Sequence, residues 1–309
     1  MGKICVIVNP NSQNGFTDKK SEQYIKALAD AGFIFDTYYS RSKKHFEKMF
    51  KEIIDEYDIF IAIGGDGLIH TLIQHLVGKR DKQLAIVPAG NGNMLASHHN
   101  ILSVEDTISS IKNGKAEEID IVKVEYLNSN GRRKTIYSHC IIGIGYIADV
   151  VKYATYIFRK LGPKWCYPLA GALATFRIDS FDTEFCVDNN SKYVPNTNTV
   201  ILLNQGKIGP FDITRGVVDT DGYIDYVMFR DGTSAEAVLC FLDSLFGKYL
   251  FNKHRVTGKA RKVKTKLLSK KDLMVDGEIY EKILYFSAEV IPKAIRLLTN
   301  SSKKEVEAN

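Results

Sequence analysis

Short apolar, β-branched runs alternate with helical patterns along the first third of the chain. Strand-like runs lie at Ile4 to Asn9, Phe33 to Tyr39, Asp58 to Ile63 and Leu84 to Val87, and segments of helical spacing at Lys19 to Ala31, Lys43 to Glu56 and Leu68 to Val77. Strands alternating with helices predict a mostly parallel sheet covered on both faces, with ligands bound beyond the carboxyl ends of the strands. Glycine-rich or amide-rich stretches follow the first, third and fourth strands, at Asn9 to Gly15, Gly64 to Gly67 and Ala89 to Asn93. The residues suited to a ligand therefore gather at one predicted edge.

From about Ala116 the pattern becomes period-two alternation, as in Ile119 to Tyr126, with Asn128-Ser129-Asn130-Gly131 as a hairpin turn before a strand over Lys134 to Ile142. Further strands are predicted at Thr183 to Asp188, Thr199 to Asn204, Tyr223 to Phe229, Ala260 to Leu268, Leu273 to Val275 and Lys282 to Ser287. They describe a second, largely antiparallel β domain. Helical insertions interrupt it at Asp149 to Phe176, broken near Gly162-Pro163, and at Ser234 to Leu250, where Thr233 or Ser234 can cap. The expected division is residues 1–115 and 116–309, with the last residues able to pack back on the first domain, and the polar run from Ser301 reads as a disordered tail.

Composition narrows the class. A chain of 309 residues with 45% hydrophobic and 25% charged residues has material for two packed domains and none of the bias of a disordered or fibrous chain. Cys5, Cys140, Cys166, Cys186 and Cys240 are scattered without C-x-x-C spacing, which argues against a disulfide framework or a zinc site and for a reducing compartment. The first apolar run is too short for a signal peptide, and no stretch has the length to cross a bilayer. A cytoplasmic protein, at most peripheral at the membrane, is expected. Net charge is +6, and Lys253 to Lys271 holds Arg255, Lys259, Arg261, Lys262, Lys264, Lys266 and Lys270 among its cations. Such a basic stripe suits anionic lipid headgroups, or is a solvated strand face. No nucleic-acid partner is expected.

The candidate chemistry centres on Gly64-Gly65-Asp66-Gly67, which stands between the apolar strand Phe60 to Ile63 and an apolar helix. Glycines let backbone N–H groups approach a polyphosphate, and a helix N-terminus adds positive potential. An acid held there either organises magnesium or accepts a proton from an attacking hydroxyl. The alternative for the motif on its own is a strand-ending turn. Asn9-Pro10-Asn11-Ser12-Gln13-Asn14-Gly15 and Pro88-Ala89-Gly90-Asn91-Gly92-Asn93 supply small residues and amides at the same edge, and neither matches a P-loop or a dinucleotide fingerprint.

Taken in order, Asn9-Pro10, Gly64 to Gly67, Pro88 to Asn93 and Val275-Asp276-Gly277-Glu278 resemble the diacylglycerol kinase catalytic-domain superfamily, which includes bacterial lipid kinases, sphingosine kinases and ceramide kinases. The resemblance implies a Rossmann-like parallel-sheet nucleotide domain, an antiparallel β-sandwich lipid domain, and ATP with Mg2+ in the cleft between them. It also implies phosphate contacts from Asn9, Pro10, Asn11, Ser12, Gly64, Gly65, Gly67, Gly90, Asn91 and Asn93, with Ser40 beside the adenine. Asp66 and Glu278 are the implied acids, as base or magnesium organiser in either order. Where many bacterial members have threonine, threonine and aspartate, this sequence has Leu68, Asn91 and Met94, and Gly65 to His70 and Pro88 to Ala96 are closer to the sphingosine kinase branch. Gly145 to Val150, followed by Arg159 to Gly162, is similar to the stretch where sphingosine kinases hold the acid that meets the substrate amine.

Asp149 is thus a candidate headgroup carboxylate, or simply an acid at a helix N-terminus. Arg159 reaches a phosphate or lies on a solvated face. Asp221 and Asp225, in Val218 to Asp225, resemble an acidic element near a structural metal in bacterial members, and a hairpin turn explains them equally well. The aromatic stretch Tyr153 to Phe176 gates a lipid tail or belongs to a core. His70, His98 and His99 lack a paired nucleophile. The expected activity is ATP-dependent phosphorylation of a lipid hydroxyl on a sphingoid base or diacylglycerol. The alternatives are a soluble-substrate kinase of the NAD kinase type and a catalytically silent homologue.

Overall fold

The computed structural model describes residues 2–9, 17–40, 42–128, 130–158, 161–208, 211–230, 233, 236, 239, 243 and 254–300. Two compact units are present, one formed by the residues up to Ile119 with those from Lys293 on, the other by Asp120–Pro292.

The first unit runs β1 (Ile4–Val8), α1 (Thr17–Asp30), β2 (Phe35–Tyr39), α2 (Lys43–Ile53), β3 (Ile59–Gly64), α3 (Asp66–Leu76), β4 (Gln83–Pro88), α4 (Met94–His98) and α5 (Val104–Asn113). Its strands are parallel in the order β4-β3-β1-β2. Every residue of β1 and β3 is buried, the signature of central parallel strands covered on both faces. Ile4, Val6, Val8, Ile59, Ile61, Ile63, Ala85 and Val87 form the core on one face with Leu28, Val104 and Ile111. The strands and helices predicted here are all present. Helices α4 and α5 are additional, and α5 begins with a capping box in which Ser103 and Asp106 satisfy each other's backbone N–H groups.

The second unit is built on antiparallel strands. In chain order these are β5 (Ala116–Leu127), which enters from the first unit, β6 (Arg133–Ser138), β7 (Ile141–Gly145), β8 (Phe181–Val187), β9 (Asn190–Leu203), the short pair β10 (Lys207–Ile208) and β11 (Phe211–Asp212), β12 (Ile224–Arg230), β13 (Arg255–Ala260), β14 (Lys262–Val275) and β15 (Glu278–Leu298). Between β7 and β8 stand helices α6 (Tyr146–Tyr156) and α7 (Pro163–Thr175). The order β13-β12-β9-β7-β14 packs Ile142, Ile144, Val200, Leu202, Leu273 and Val275 into one core. The far end of β15 pairs parallel with β4 in the first unit's sheet, Arg296 opposite Gln83.

Two elements depart from expectation for visible reasons. The single strand predicted over Lys134 to Ile142 is two, because the backbone at His139 and Cys140 turns its N–H groups to a buried carboxylate instead of a neighbouring strand. Strand β9 starts at Asn190 rather than Thr199. Its polar first half pairs with β8 while exposed, so it lacks the buried alternation that marks a strand. The helix predicted over Ser234 to Leu250 and the tail from Ser301 fall largely or wholly outside the described residues.

Candidate active site

Parallel register brings the carboxyl ends of the first unit's strands level. Val8 stands opposite Ile63 and Tyr39, and Gly64 opposite Pro88. The chain leaving each strand stays tied to its neighbour: Asn9 N donates to Ile63 O (3.3 Å), Ser40 N to Val8 O (2.9 Å) and Ala89 N to Gly64 O (2.9 Å). From β1 the chain crosses to β2 on one side, whereas from β3 it crosses to β4 on the other. A crevice at such a switch point is where open α/β sheets bind ligands. Asn9, Ser40, Gly64, Gly65, Asp66, Gly67, Gly90, Asn91 and Asn93 are all brought to this edge. Pro10, Asn11, Ser12 and Arg159 lie outside the described residues.

Bare backbone is what lets the two glycine loops meet. A Cβ on Gly65 would stand 2.9 Å from Gly90 Cα, one on Gly90 would overlap Gly65 Cα, and one on Gly92 would collide with Asp66 Oδ2. Asn93, at φ 47°, folds its loop back, with Oδ1 accepting from Gly90 N (2.8 Å) and Nδ2 donating to Gly90 O (2.9 Å). Asp66 opens α3, and its Oδ1 accepts from Met94 N at 2.6 Å, so the acid is clamped between the two loops. Gly65, the residue before α3, has no side chain to cap the helix, and Asp66 stands in the first turn at its positive end. Leu68, where a threonine was a possible polar contact, is buried, and a Cβ on Gly64 would lie 2.8 Å from its Cδ2. It packs the turn.

In the second unit, Asp276 and Gly277 form the left-handed turn between β14 and β15, at φ 49° and 84°. Glu278 follows and is exposed. The Asp276 side chain is buried and accepts from Ser138 Oγ (2.7 Å), His139 N (3.1 Å), Cys140 N (3.0 Å) and Ile141 N (3.1 Å). This anchor escaped the sequence reading, although an aspartate ahead of glycine at a strand end is one of few residues that tolerate such a turn.

Asp149 lies in the first turn of α6, which Gly145 enters at φ 75° because any Cβ there would strike Asn198 O. Burial, and secondly the charge of Asp272, push its carboxyl above the ordinary range, against the pull of Lys152, Lys271 and Lys282. Lys152 itself bonds to Asp272 at 2.6 Å. Asp221 and Asp225 do converge, but on a lysine: Lys259 Nζ is 2.6 Å from Asp221 Oδ2 and 3.4 Å from Asp225 Oδ2. A metal ion at that pair would have to displace the ammonium. In the sequence Lys259 belongs to the basic stripe, and its pairing with Asp221 and Asp225 is not visible there because it lies on β13, far along the chain.

Residues 3–124, which span β1 to α5 and most of β5, match the model of the diacylglycerol kinase catalytic domain. The chain is 25% identical over 289 residues to the diacylglycerol kinase of Bacillus subtilis, covering 90% of both proteins. The chain is thus similar to the diacylglycerol kinase catalytic-domain superfamily of lipid kinases, through the family model over residues 3–124 and through the Bacillus subtilis relative over 90% of its length. Sphingosine kinase B of Dictyostelium discoideum is 29% identical over 133 residues, 40% of this chain and 17% of that protein. Among solved structures, a diacylglycerol kinase from Bacillus anthracis superposes with a TM-score of 0.71 at 16% identity, covering 97% of each chain. A yeast NADH kinase complexed with NADH gives 0.57 at 10% identity, covering 99% of this chain and 85% of the other. The fold is thus one common to diacylglycerol kinases and NADH kinase, mixed α/β and rich in sheet. The superfamily match takes in Asn9, Ser40, Asp66 and the Gly90 loop, and Glu278 lies beyond it. Among the described residues no helix is long and apolar enough to cross a membrane.

Proposed function

We propose that the chain transfers the γ-phosphate of ATP to a lipid hydroxyl, with a sphingoid base or a diacylglycerol as acceptor. The observation that carries this reading is the backbone-to-backbone approach of Gly65 and Gly90 with Asp66 clamped between their loops. The cradle has no room for a Cβ and presents the uncapped N-terminus of α3, which suits a polyphosphate. In this reading the α/β unit is a Rossmann-like nucleotide domain, with Asn9 and the loop after it, Gly64, Gly65, Gly67, Gly90, Asn91 and Asn93 holding phosphates and Ser40 beside the adenine. The antiparallel unit is a β-sandwich that holds lipid.

An oxygen-rich acid at the phosphates also fits Mg2+, which when bound neutralises charge on the transferring phosphoryl group. Asp66 would hold it or take the hydroxyl proton, with Glu278 as the second acid. Catalysis is then mostly positioning and charge stabilisation. Gly90→Ala, which drives a Cβ into the backbone of Gly65, is expected to cost about 1–3 kcal/mol of stability and to weaken ATP binding by about tenfold or more. Calorimetric titration with ATP checks it, and unchanged affinity would detach this loop from the nucleotide.

Asp149 favours the sphingoid acceptor. A carboxyl raised by burial gains most from a cationic partner, and an ammonium headgroup supplies one where neutral diacylglycerol does not. Asp149→Ala is expected to lose activity on sphingosine by about tenfold or more while sparing diacylglycerol. The ionised form is the one that pairs, so wild-type kcat/KM on sphingosine should rise with pH through the raised pKa of Asp149, and the Asn variant should lack that rise. The same shift means the folded state holds this proton more tightly than the unfolded chain, so its contribution to stability is present at low pH and fades as pH climbs. Asp149→Asn should therefore not lower Tm at neutral pH.

The fold of NADH kinase keeps a soluble-substrate kinase as the second reading. A panel of sphingosine, ceramide, diacylglycerol and NAD with labelled ATP decides between them. Label entering NAD alone would reject the lipid reading, and ATP binding without turnover on any acceptor would point to a silent homologue.

A further inference from the structure

Four Asn-Gly pairs occur in the sequence, at Asn14, Asn91, Asn113 and Asn130. Such a pair can modify itself. The backbone nitrogen of the glycine attacks the amide carbon of the asparagine side chain, and a residue without Cβ leaves that approach unobstructed. The reaction needs an asparagine side chain that nothing holds and a glycine N–H that the fold has not already committed.

Two of the described pairs fail this requirement. Gly114 closes α5, and its N–H donates to Ser110 O and Ile111 O at 3.2 Å each, while Asn113 Nδ2 donates to Asn300 Oδ1. Gly131 N donates to Asn128 O at 2.9 Å inside the turn between β5 and β6. Asn93, in the same loop as Asn91, has both amide atoms tied to Gly90 and is followed by Met94 instead of a glycine. Asn91-Gly92 meets the requirement. Both residues are exposed and neither belongs to a helix or strand. Among the described residues no hydrogen bond engages the Asn91 side chain or the Gly92 N–H. Asn14-Gly15 lies outside the described residues.

Location gives the reaction its consequence. A Cβ on Gly92 would collide with Asp66 Oδ2, so the pair lies directly against the acid that the two glycine loops clamp. A carboxylate in place of the Asn91 amide would set a further negative charge beside Asp66, where a polyphosphate has to approach.

We propose that Asn91-Gly92 is a self-modification site, whose slow deamidation puts a carboxylate into the phosphate loop and weakens nucleotide binding. Gly92 N bonds to Asn91 Cγ and the Cγ–Nδ2 bond breaks. The Gly92 N–H proton passes to solvent base, and Nδ2 takes a proton from water and leaves as ammonia. Water then opens the cyclic succinimide at either carbonyl, converting Asn91 to aspartate or isoaspartate with no oxidant or reductant. The site follows from the loop itself, and its effect rests on the nucleotide reading above.

The full chain is incubated for days at neutral pH and physiological temperature, then sampled by peptide mass spectrometry and by calorimetric titration with ATP and Mg2+. The Asn91 peptide is expected to gain about 1 Da well before the peptides holding Asn113 and Asn130. ATP affinity should fall by about tenfold or more in the converted fraction. Asn91→Thr, which has no amide to cyclise, should keep through the incubation whatever affinity it starts with, and Asn91→Asp should show the weakened affinity from the start. ATP present throughout should slow the conversion, because bound phosphates hold the loop. Conversion of Asn113 or Asn130 with Asn91 intact, loss of affinity by Asn91→Thr at the wild-type rate, or full conversion with affinity unchanged would each overturn the proposal. Failure of the kinase reading would look different: fresh protein binds no ATP, while Asn91 still converts first and at the same rate with ATP as without.

Discussion

Asp66→Asn is expected to lower kcat on the accepted lipid by about 10²–10⁴-fold, the range for removing a general acid–base or charge-organising group, with Tm unchanged. The amide keeps an Oδ1 where the carboxylate accepts from Met94 N at 2.6 Å, so the clamp between the glycine loops survives and only the charge is lost. Asp66→Ala removes the clamp as well and should add a loss of nucleotide affinity, because the bond from Met94 N that ties the Gly90 loop to α3 is then lost. Steady-state kinetics against Mg2+ and pH separate the two roles. An acid that organises the metal leaves a variant whose activity recovers in part at high Mg2+. An acid that takes the hydroxyl proton leaves one that does not recover, and whose pH profile has lost its acidic limb. An Asn variant retaining more than about a tenth of wild-type kcat would remove Asp66 from the chemistry.

The residues that drew attention in the sequence did so for reasons local to their strands. β1 and β3 are legible because strands buried on both faces read as unbroken apolar runs, and the glycines after β3 and β4 because a close approach of two backbones leaves no other residue possible. Partnerships formed across the fold left no such mark. Nothing near Asp225 in sequence reveals that Lys259 will neutralise it, and nothing near His139 reveals that its N–H will leave the strand ladder for a carboxylate far along the chain. The aromatics of α7 at helical spacing are the ordinary sign of a core, yet the structure buries the small residues and turns Trp165 and Phe176 outward. Periodicity reports that a helix has an apolar stripe, not which side of it faces water.

Asp276→Ala is expected to destabilise the protein by about 3–5 kcal/mol, more than any other single change considered for the β unit. The carboxylate is buried and is the shared acceptor for Ser138 Oγ and the N–H groups of His139, Cys140 and Ile141, which have left the β6 and β7 ladders to reach it. Removing it strands three backbone donors and a hydroxyl out of reach of solvent, and alanine must also hold a left-handed φ of 49° that aspartate tolerates better. Asp276→Asn keeps the backbone tolerance and one acceptor oxygen but turns an NH2 group toward the His139 N–H, so an intermediate loss is expected. At about 2–4 °C per kcal/mol the alanine variant should melt roughly 10 °C lower, measured by calorimetry. Glu278→Gln, two residues on and exposed, is the matched control: it should leave Tm alone and reduce turnover. If Asp276→Ala melts with the wild type, the buried carboxylate is not what holds the turn that presents Glu278.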